Sequence, residues 1–273
     1  MSLAEISSLA LIGAGKMGGA LLQGWLKGGL NPGAVTLIDP APGAEILDVV
    51  SEHNLDLKSD PGAMAPPEIV VIAIKPQVMG EVLPGFGDMA RGGATFVSVA
   101  AGQTIADIER VLGTRARVVR AMPNTPAAVG AGISVLVANV HVPSKMRCRA
   151  EALMASVGEV RWIDDEGLMD AVTALSGSGP AYVFYLVQAM AAAGEAAGLG
   201  PDLAMDLARQ TVVGGGALLG ASPLGADVLR QNVTSPGGTT AAALEVLMGE
   251  DGLTPLMTRA VAAAKRRGEE LAG

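Results

Sequence analysis

The stretch Leu9-Ala10-Leu11-Ile12 runs directly into Gly13-Ala14-Gly15-Lys16-Met17-Gly18 and then into the apolar-periodic run Ala20-Leu21-Leu22 to Trp25-Leu26. A strand, a turn with this glycine spacing and an amphipathic helix together form a dinucleotide-binding fingerprint, and few other folds meet all three requirements. Gly13 is expected to make the turn, Gly15 to let the backbone approach a pyrophosphate, and Gly18 to let the helix close on the strand. The helix N-terminus then offers amides to the anion. Ile12, Ala14, Lys16 and Met17 lie on the same loop and are assigned, with the three glycines, to the cofactor site.

Asp39 closes the next β-branched run, Val35-Thr36-Leu37-Ile38, 21 residues beyond Gly18. A carboxylate there accepts hydrogen bonds from the adenosine ribose hydroxyls and repels a 2′-phosphate. No Lys or Arg occurs between Asp39 and Lys58 to hold such a phosphate, so NADH is favoured over NADPH. The plainer reading is that Asp39 caps the turn before Pro40. Ligands of open parallel sheets bind beyond the carboxyl ends of the strands. Ala73, Ile74, Lys75 and Pro76, then Ala100 and Ala101, then Asn124 all occupy such ends and are assigned to the same crevice. Lys75 is either a crevice cation or a solvated loop lysine. Asn124 and Thr125, between Pro123 and Pro126, form a stiff turn that is either structural or fixes polar groups near the nicotinamide.

Short β-branched runs at Leu9–Ile12, Val35–Asp39, Ile69–Ile74, Thr95–Val99, Val118–Met122, Ile133–Val137 and Val160–Ile163 alternate with helical or polar stretches, the pattern of βαβ units. After residue 163 such runs stop, and Ala/Leu/Met segments follow with Pro180, Pro201, Pro223 and Pro255 near the expected helix starts. The expected fold is therefore an α/β Rossmann domain with a mainly parallel sheet over residues 1–163, followed by an all-α domain over residues 164–273. Charge divides at the same place: 13 basic and 14 acidic residues precede the boundary and 6 and 13 follow it, net −1 and −7. The helix expected from Pro180 to Gly198 is apolar nearly all round, so it must be enclosed, most simply by a second subunit.

A formal charge of −8 repels phosphate backbones and anionic membranes, which excludes nucleic acid as an expected partner. Ala181 to Leu199 is the sole candidate membrane span, but Gln188 and Glu195 interrupt it and Gly194 and Gly198 weaken it, so no membrane association is expected. Cys148, the single cysteine, forms no internal disulfide and no multi-cysteine metal site. No metal is expected. The residues before the first strand lack a basic-then-apolar leader pattern, and a cytoplasmic location is expected.

In the helical part, Val233-Thr234-Ser235-Pro236-Gly237-Gly238-Thr239-Thr240 leads into a helical pattern. Glycines and threonines at a helix start expose unpaired amides and hydroxyls, which suit a carboxylate, although an ordinary capped loop has the same composition. Ser176-Gly177-Ser178-Gly179-Pro180 is either a second set of open amides or a plain cap and hinge.

Over nearly its whole length the chain resembles the pyrroline-5-carboxylate reductases. The resemblance rests on Ile12–Gly18, Ala73–Gln77 (AIKPQ), Arg120–Pro126 (RAMPNTP), Leu175–Tyr182 (LSGSGPAY) and Val233–Thr240 (VTSPGGTT). It implies reduction of 1-pyrroline-5-carboxylate to L-proline, the final step of proline biosynthesis, with NADH or NADPH. It also implies a helical domain that forms a homodimer and often a decamer. Ser235, Gly237, Gly238, Thr239 and Thr240 would surround the ring carboxylate and nitrogen, with the Thr240 hydroxyl nearest the nitrogen as the catalytic group. Two positions depart from the family: small polar or basic residues are common where this chain has Asp39-Pro40, and an acid is common at Gln231. Two alternatives are a β-hydroxyacid dehydrogenase and a dinucleotide-binding regulator without chemistry. The first needs a lysine in the helical domain, and none lies between residues 146 and 264.

Overall fold

The computed structural model describes residues 2–272 and divides into two compact units: Met1–Gly177 with Lys265–Gly273, and Ser178–Ala264. The first carries one sheet of eight strands: β1 (Leu9–Ile12), β2 (Val35–Ile38), β3 (Asp56–Lys58), β4 (Ile69–Ile72), β5 (Thr95–Ser98), β6 (Arg117–Met122), β7 (Gly132–Ala138) and β8 (Gly158–Trp162). Their order is β3-β2-β1-β4-β5-β6-β7-β8, parallel throughout except where β6 meets β7. Helices α1 (Lys16–Lys27), α2 (Ala44–His53), α3 (Pro76–Val82), α4 (Gly87–Arg91), α5 (Ile105–Leu112), α6 (Ser144–Ala155) and α7 (Met169–Val172) connect or follow the strands.

The chain runs outward from β1 to β2 and β3, then returns to add β4 on the other side of β1. That reversal leaves a crevice at the carboxyl ends of β1 and β4. Alternate residues of the central strands enter opposite cores, as the period of two requires. Leu9, Leu11, Val71, Val97 and Val119 meet Leu21, Leu22 and Trp25 of α1 and Leu153 and Met154 of α6 on one face. Ala10, Ile12, Val70, Ile72, Phe96 and Val118 meet Met79 of α3, Phe86 and Ile108 of α5 on the other. Trp25 is fully buried, and its Nε1 donates to the Leu153 carbonyl at 3.0 Å, so the largest side chain of this core is also satisfied as a donor.

The runs foreseen from sequence all carry strands, but β3 was not foreseen because its three residues, Asp56-Leu57-Lys58, form no apolar run. The division drawn at residue 163 marks the end of the sheet and not the end of the first unit. Residues 166–177 stay with the sheet because Met169 and Ala174 are buried and because Glu166 is held from two sides. Its Oε1 accepts from Arg120 Nη1 at 3.0 Å and from the Ile105 amide at 2.9 Å.

The second unit holds α8 (Gly179–Ala196), α9 (Pro201–Ala221), α10 (Ala226–Asn232), α11 (Thr239–Leu247) and the start of α12 (Leu253–Ala272). Pro180 and Pro201 sit in first turns, where the missing N–H costs nothing. Pro223 instead precedes α10 in a loop, and Pro255 lies in the first turn of α12. Helices α8 and α9 approach closely through small residues: a Cβ on Gly194 would lie 3.2 Å from that of Ala204. Yet Ala191, Ala204 and Ala208 are its only buried residues among those described. Phe184 is 64% exposed, Tyr185 71% and Val213 58%, so within its own chain this unit does not enclose α8. Apolar area of this extent marks an interface.

Candidate active site

The glycine loop behaves as its spacing demands. Gly13 adopts φ +84°, a region that favours glycine, and a Cβ there would meet the Ile74 side chain at 2.7 Å and the Ala73 carbonyl oxygen at 3.0 Å. A Cβ on Gly18 would lie 2.3 Å from the Gly13 carbonyl oxygen, so the close seating of α1 on β1 needs glycine. Gly15 is the opposite case, exposed, with nothing within 4 Å of a would-be Cβ. It also precedes α1 without any side-chain cap, which leaves the amides of Lys16, Met17 and Gly18 without intrahelical acceptors. Open space beside an uncapped helix start fits the pyrophosphate of a dinucleotide. Ile12 and Gly13 turn inward instead: the Ile12 carbonyl accepts from the Ala73 amide at 2.8 Å, and the Gly13 amide donates to the Ile38 carbonyl at 2.9 Å.

Asp39 caps the turn before Pro40 and also reaches the glycine loop. Its Oδ1 accepts from the Ala41 amide at 2.9 Å, capping the turn, and its Oδ2 accepts from the Ala14 amide at 2.8 Å, tying β2 to the glycine loop. Each carboxylate oxygen keeps a second lone pair for a ribose hydroxyl. The nearest downstream cation, Lys58, has its ammonium 3.6 Å from Asp56, and its carbonyl accepts from the Asp39 amide.

Ala73 and Ile74 back the glycine loop, and exposed Lys75 sits at the start of α3 ahead of Pro76. Beyond β5, Ala100 is buried, with its amide on the Ser98 hydroxyl at 3.3 Å, while Ala101 is exposed. Asn124 lies beyond β6 with its amide engaged at both ends. Its Oδ1 accepts from the Ile133 amide at 3.0 Å, and its Nδ2 donates to the Ser176 carbonyl at 3.3 Å. Sequence reasoning missed Gly43 and Ile46, which with Gly15, Met17 and Thr125 line a cleft of about 730 Å³ beside the fingerprint. Gly43 precedes α2 without a side-chain cap, and its place shortly after β2 was the available signal.

In the helical unit, residues 233–238 form a turn between α10 and α11. Gly237 adopts φ +69°, and the Gly238 amide donates to the Ser235 carbonyl at 3.0 Å. Helix α11 begins at Thr239 without a side-chain cap, so its first amides are open. Among the described residues, the hydroxyls of Ser235, Thr239 and Thr240 make no hydrogen bond, and Thr240 is half-buried. The start of α11 is therefore not capped by a side chain of its own loop. The Thr234 hydroxyl, by contrast, donates to the Arg230 carbonyl at 2.7 Å and is used internally.

A doubly wound sheet with an intact glycine fingerprint, followed by helices with an open interface, defines a Rossmann oxidoreductase that uses NAD(P)H and assembles with copies of itself. Residues 166–271 match the family model described as pyrroline-5-carboxylate reductase dimerisation, and residues 8–102 match that described as NADP oxidoreductase coenzyme F420-dependent. The chain is 40% identical to pyrroline-5-carboxylate reductase of Pseudomonas aeruginosa over 97% of its own length and 96% of that protein. It superposes on the structure of a pyrroline-5-carboxylate reductase from Coxiella burnetii with a TM-score of 0.91 at 35% identity, covering 98% and 100% of the two chains. Plasmodium falciparum pyrroline carboxylate reductase with NADP bound gives 0.82 at 28% identity, covering 98% and 99%. The chain belongs to the pyrroline-5-carboxylate reductase family. No helix among the described residues is long and apolar enough to cross a membrane.

Proposed function

We propose that the protein reduces 1-pyrroline-5-carboxylate to L-proline, with the glycine loop, Asp39 and the ends of β4, β5 and β6 holding the cofactor and the turn before α11 holding the substrate. Full-length family membership carries this reading, and the open start of α11 supports it. Open amides of Thr239 and Thr240, with the Ser235 hydroxyl and the flexible Gly237-Gly238 backbone, suit the ring carboxylate. The Thr240 hydroxyl suits the ring nitrogen. When bound, the reduced nicotinamide supplies the hydride. The substrate is a cyclic imine, and once protonated its C=N carbon accepts hydride without a strong protein acid, so positioning and one hydroxyl suffice. The chain fits that economy, since its histidines are His53 and His141 alone and no lysine lies between 146 and 264. The β-hydroxyacid dehydrogenase reading, which needs such a lysine, is not favoured.

The first test is the initial rate of NADH and of NADPH oxidation with and without the imine. Imine-dependent oxidation is expected, and its absence from folded protein would overturn the reading. NADH is the expected favourite because a carboxylate at Asp39 would repel a 2′-phosphate and no Lys or Arg lies between Asp39 and Lys58. Asp39→Asn removes the charge and keeps one acceptor, and it is expected to raise the NADPH-to-NADH ratio of kcat/KM by about tenfold to a hundredfold. An unchanged ratio would mean that Asp39 faces away from the ribose.

Exposed apolar side chains on α8 and α9 fit a dimer, and solution mass reads the assembly directly. The family resemblance favours a decamer of five such dimers, which light scattering at micromolar concentration separates from a bare dimer; a monomeric mass would contradict both. The acidic balance and single cysteine suit a cytoplasmic location.

A further inference from the structure

We propose that Asn124 is a positioning residue, one that acts by holding the Ser176 carbonyl and so fixing where the chain leaves the sheet unit. The proposal rests on the reductase reading and replaces a direct cofactor contact at Asn124 with an indirect role. Its geometry is specific to asparagine. One end of the side chain must donate to a carbonyl and the other must accept from an amide, and the Ser176 oxygen at 3.3 Å and the Ile133 nitrogen at 3.0 Å meet those needs in one orientation only. Pro123 and Pro126 on either side stiffen the support.

The segment that Asn124 grips is unusual. Thr173–Gly177 forms a π-helical turn directly ahead of α8, a widened geometry frequent at functional sites. The segment uses its own hydroxyls to satisfy backbone carbonyls: Thr173 Oγ1 donates to the Met169 carbonyl at 2.8 Å and Ser176 Oγ to the Val172 carbonyl at 3.0 Å. Ser176 is thus committed internally and is not a free ligand donor. Arg120, Met122 and Asn124 project to one side, because the extended backbone of β6 continues through Asn124 at φ −129°, ψ 166°. All three meet residues 166–177. Arg120 pairs with Glu166, seven residues ahead of the π-helical turn, the Met122 methyl lies where a Cβ on Gly177 would be only 2.5 Å away, and Asn124 holds Ser176. Thr125, next to Asn124, lines the cleft beside the fingerprint, and the turn read as the substrate cradle lies in the unit that begins at Ser178. Hydride transfer needs donor and acceptor carbons held about 3–3.5 Å apart, so slack at this exit costs turnover before it costs cofactor affinity.

Asn124→Asp has nearly the same shape but sets a carboxylate against the Ser176 carbonyl while keeping the acceptor for Ile133. The expected result is a kcat lower by about tenfold, a cofactor Kd changed by less than about twofold, and faster amide exchange over residues 173–180 with β1 and β4 still protected. Asn124→Ala removes both hydrogen bonds without adding a charge. It is expected to give the same pattern, and it decides the matter should the Asp variant not fold. Unchanged kcat and exchange in a folded variant would overturn the proposal. So would a cofactor Kd weakened as much as kcat/KM, which would make Asn124 a cofactor ligand. If the wild-type protein failed to oxidise cofactor with the imine, the reductase reading would fall, while exchange over residues 173–180 would still decide whether Asn124 holds the segment.

Discussion

Gly15→Val is expected to lower cofactor affinity by about a hundredfold or more, equivalent to about 2.7 kcal/mol, while leaving the fold in place. The two effects separate because of where the new side chain goes. Gly15 has φ −65° and ψ −167°, an extended conformation that valine adopts freely, and no protein atom lies within 4 Å of its Cβ position. The isopropyl group therefore fills only the space through which a pyrophosphate must come to the open amides of α1. Gly18→Ala is the contrasting change. Its single methyl would sit 2.3 Å from the Gly13 carbonyl oxygen, a backbone atom that cannot swing aside, so α1 must lift from β1. That variant is expected to lose about 1–3 kcal/mol of stability. Fluorescence titration with NADH and a thermal melt distinguish the two outcomes. A Gly15→Val protein that bound cofactor normally would remove the loop from the cofactor site.

Thr240→Ala is expected to reduce kcat by about a hundredfold with little change in Tm, and to leave cofactor Kd within about twofold of wild type. The hydroxyl it removes makes no hydrogen bond within the described chain, and the residue is half-buried at the second position of α11, where alanine is well tolerated. Loss of turnover would therefore report on the reaction and not on packing. Thr240→Ser, which keeps the hydroxyl, should recover most of the rate. Equal turnover in the alanine variant would take Thr240 out of the mechanism.

Much of the first unit was legible because its signals are local. The strand–glycine–helix sequence at residues 9–27 and the alternating apolar runs of β4, β5 and β6 depend on neighbours in the chain, and Asp39 followed from distance along it. The sequence could not show that Asp39 would serve turn and glycine loop together, because the Ala14 contact joins residues brought adjacent only by the pairing of β1 with β2. The end of the first unit was hidden for the same reason. Glu166 reads as one more acid after the last strand, and what ties it to the sheet is Arg120, 46 positions earlier. Asn124 was singled out for its place between prolines, but its partners Ile133 and Ser176 lie 9 and 52 positions further along the chain. In the helical unit, the all-round apolar pattern of α8 correctly announced a missing neighbour, which the chain itself does not provide.

The three buried alanines of that unit have a consequence for how the protein is made and how it varies. A lone copy leaves most of the apolar side chains of α8 and α9 exposed, so covering them with another copy is a bimolecular event whose extent depends on protein concentration. Because the surfaces that meet belong to identical chains, one altered codon on α8 or α9 changes the joint more than once. Substitutions there should be tolerated less readily than their exposure in a single subunit suggests, and a poorly matched variant can impair a normal copy encoded beside it.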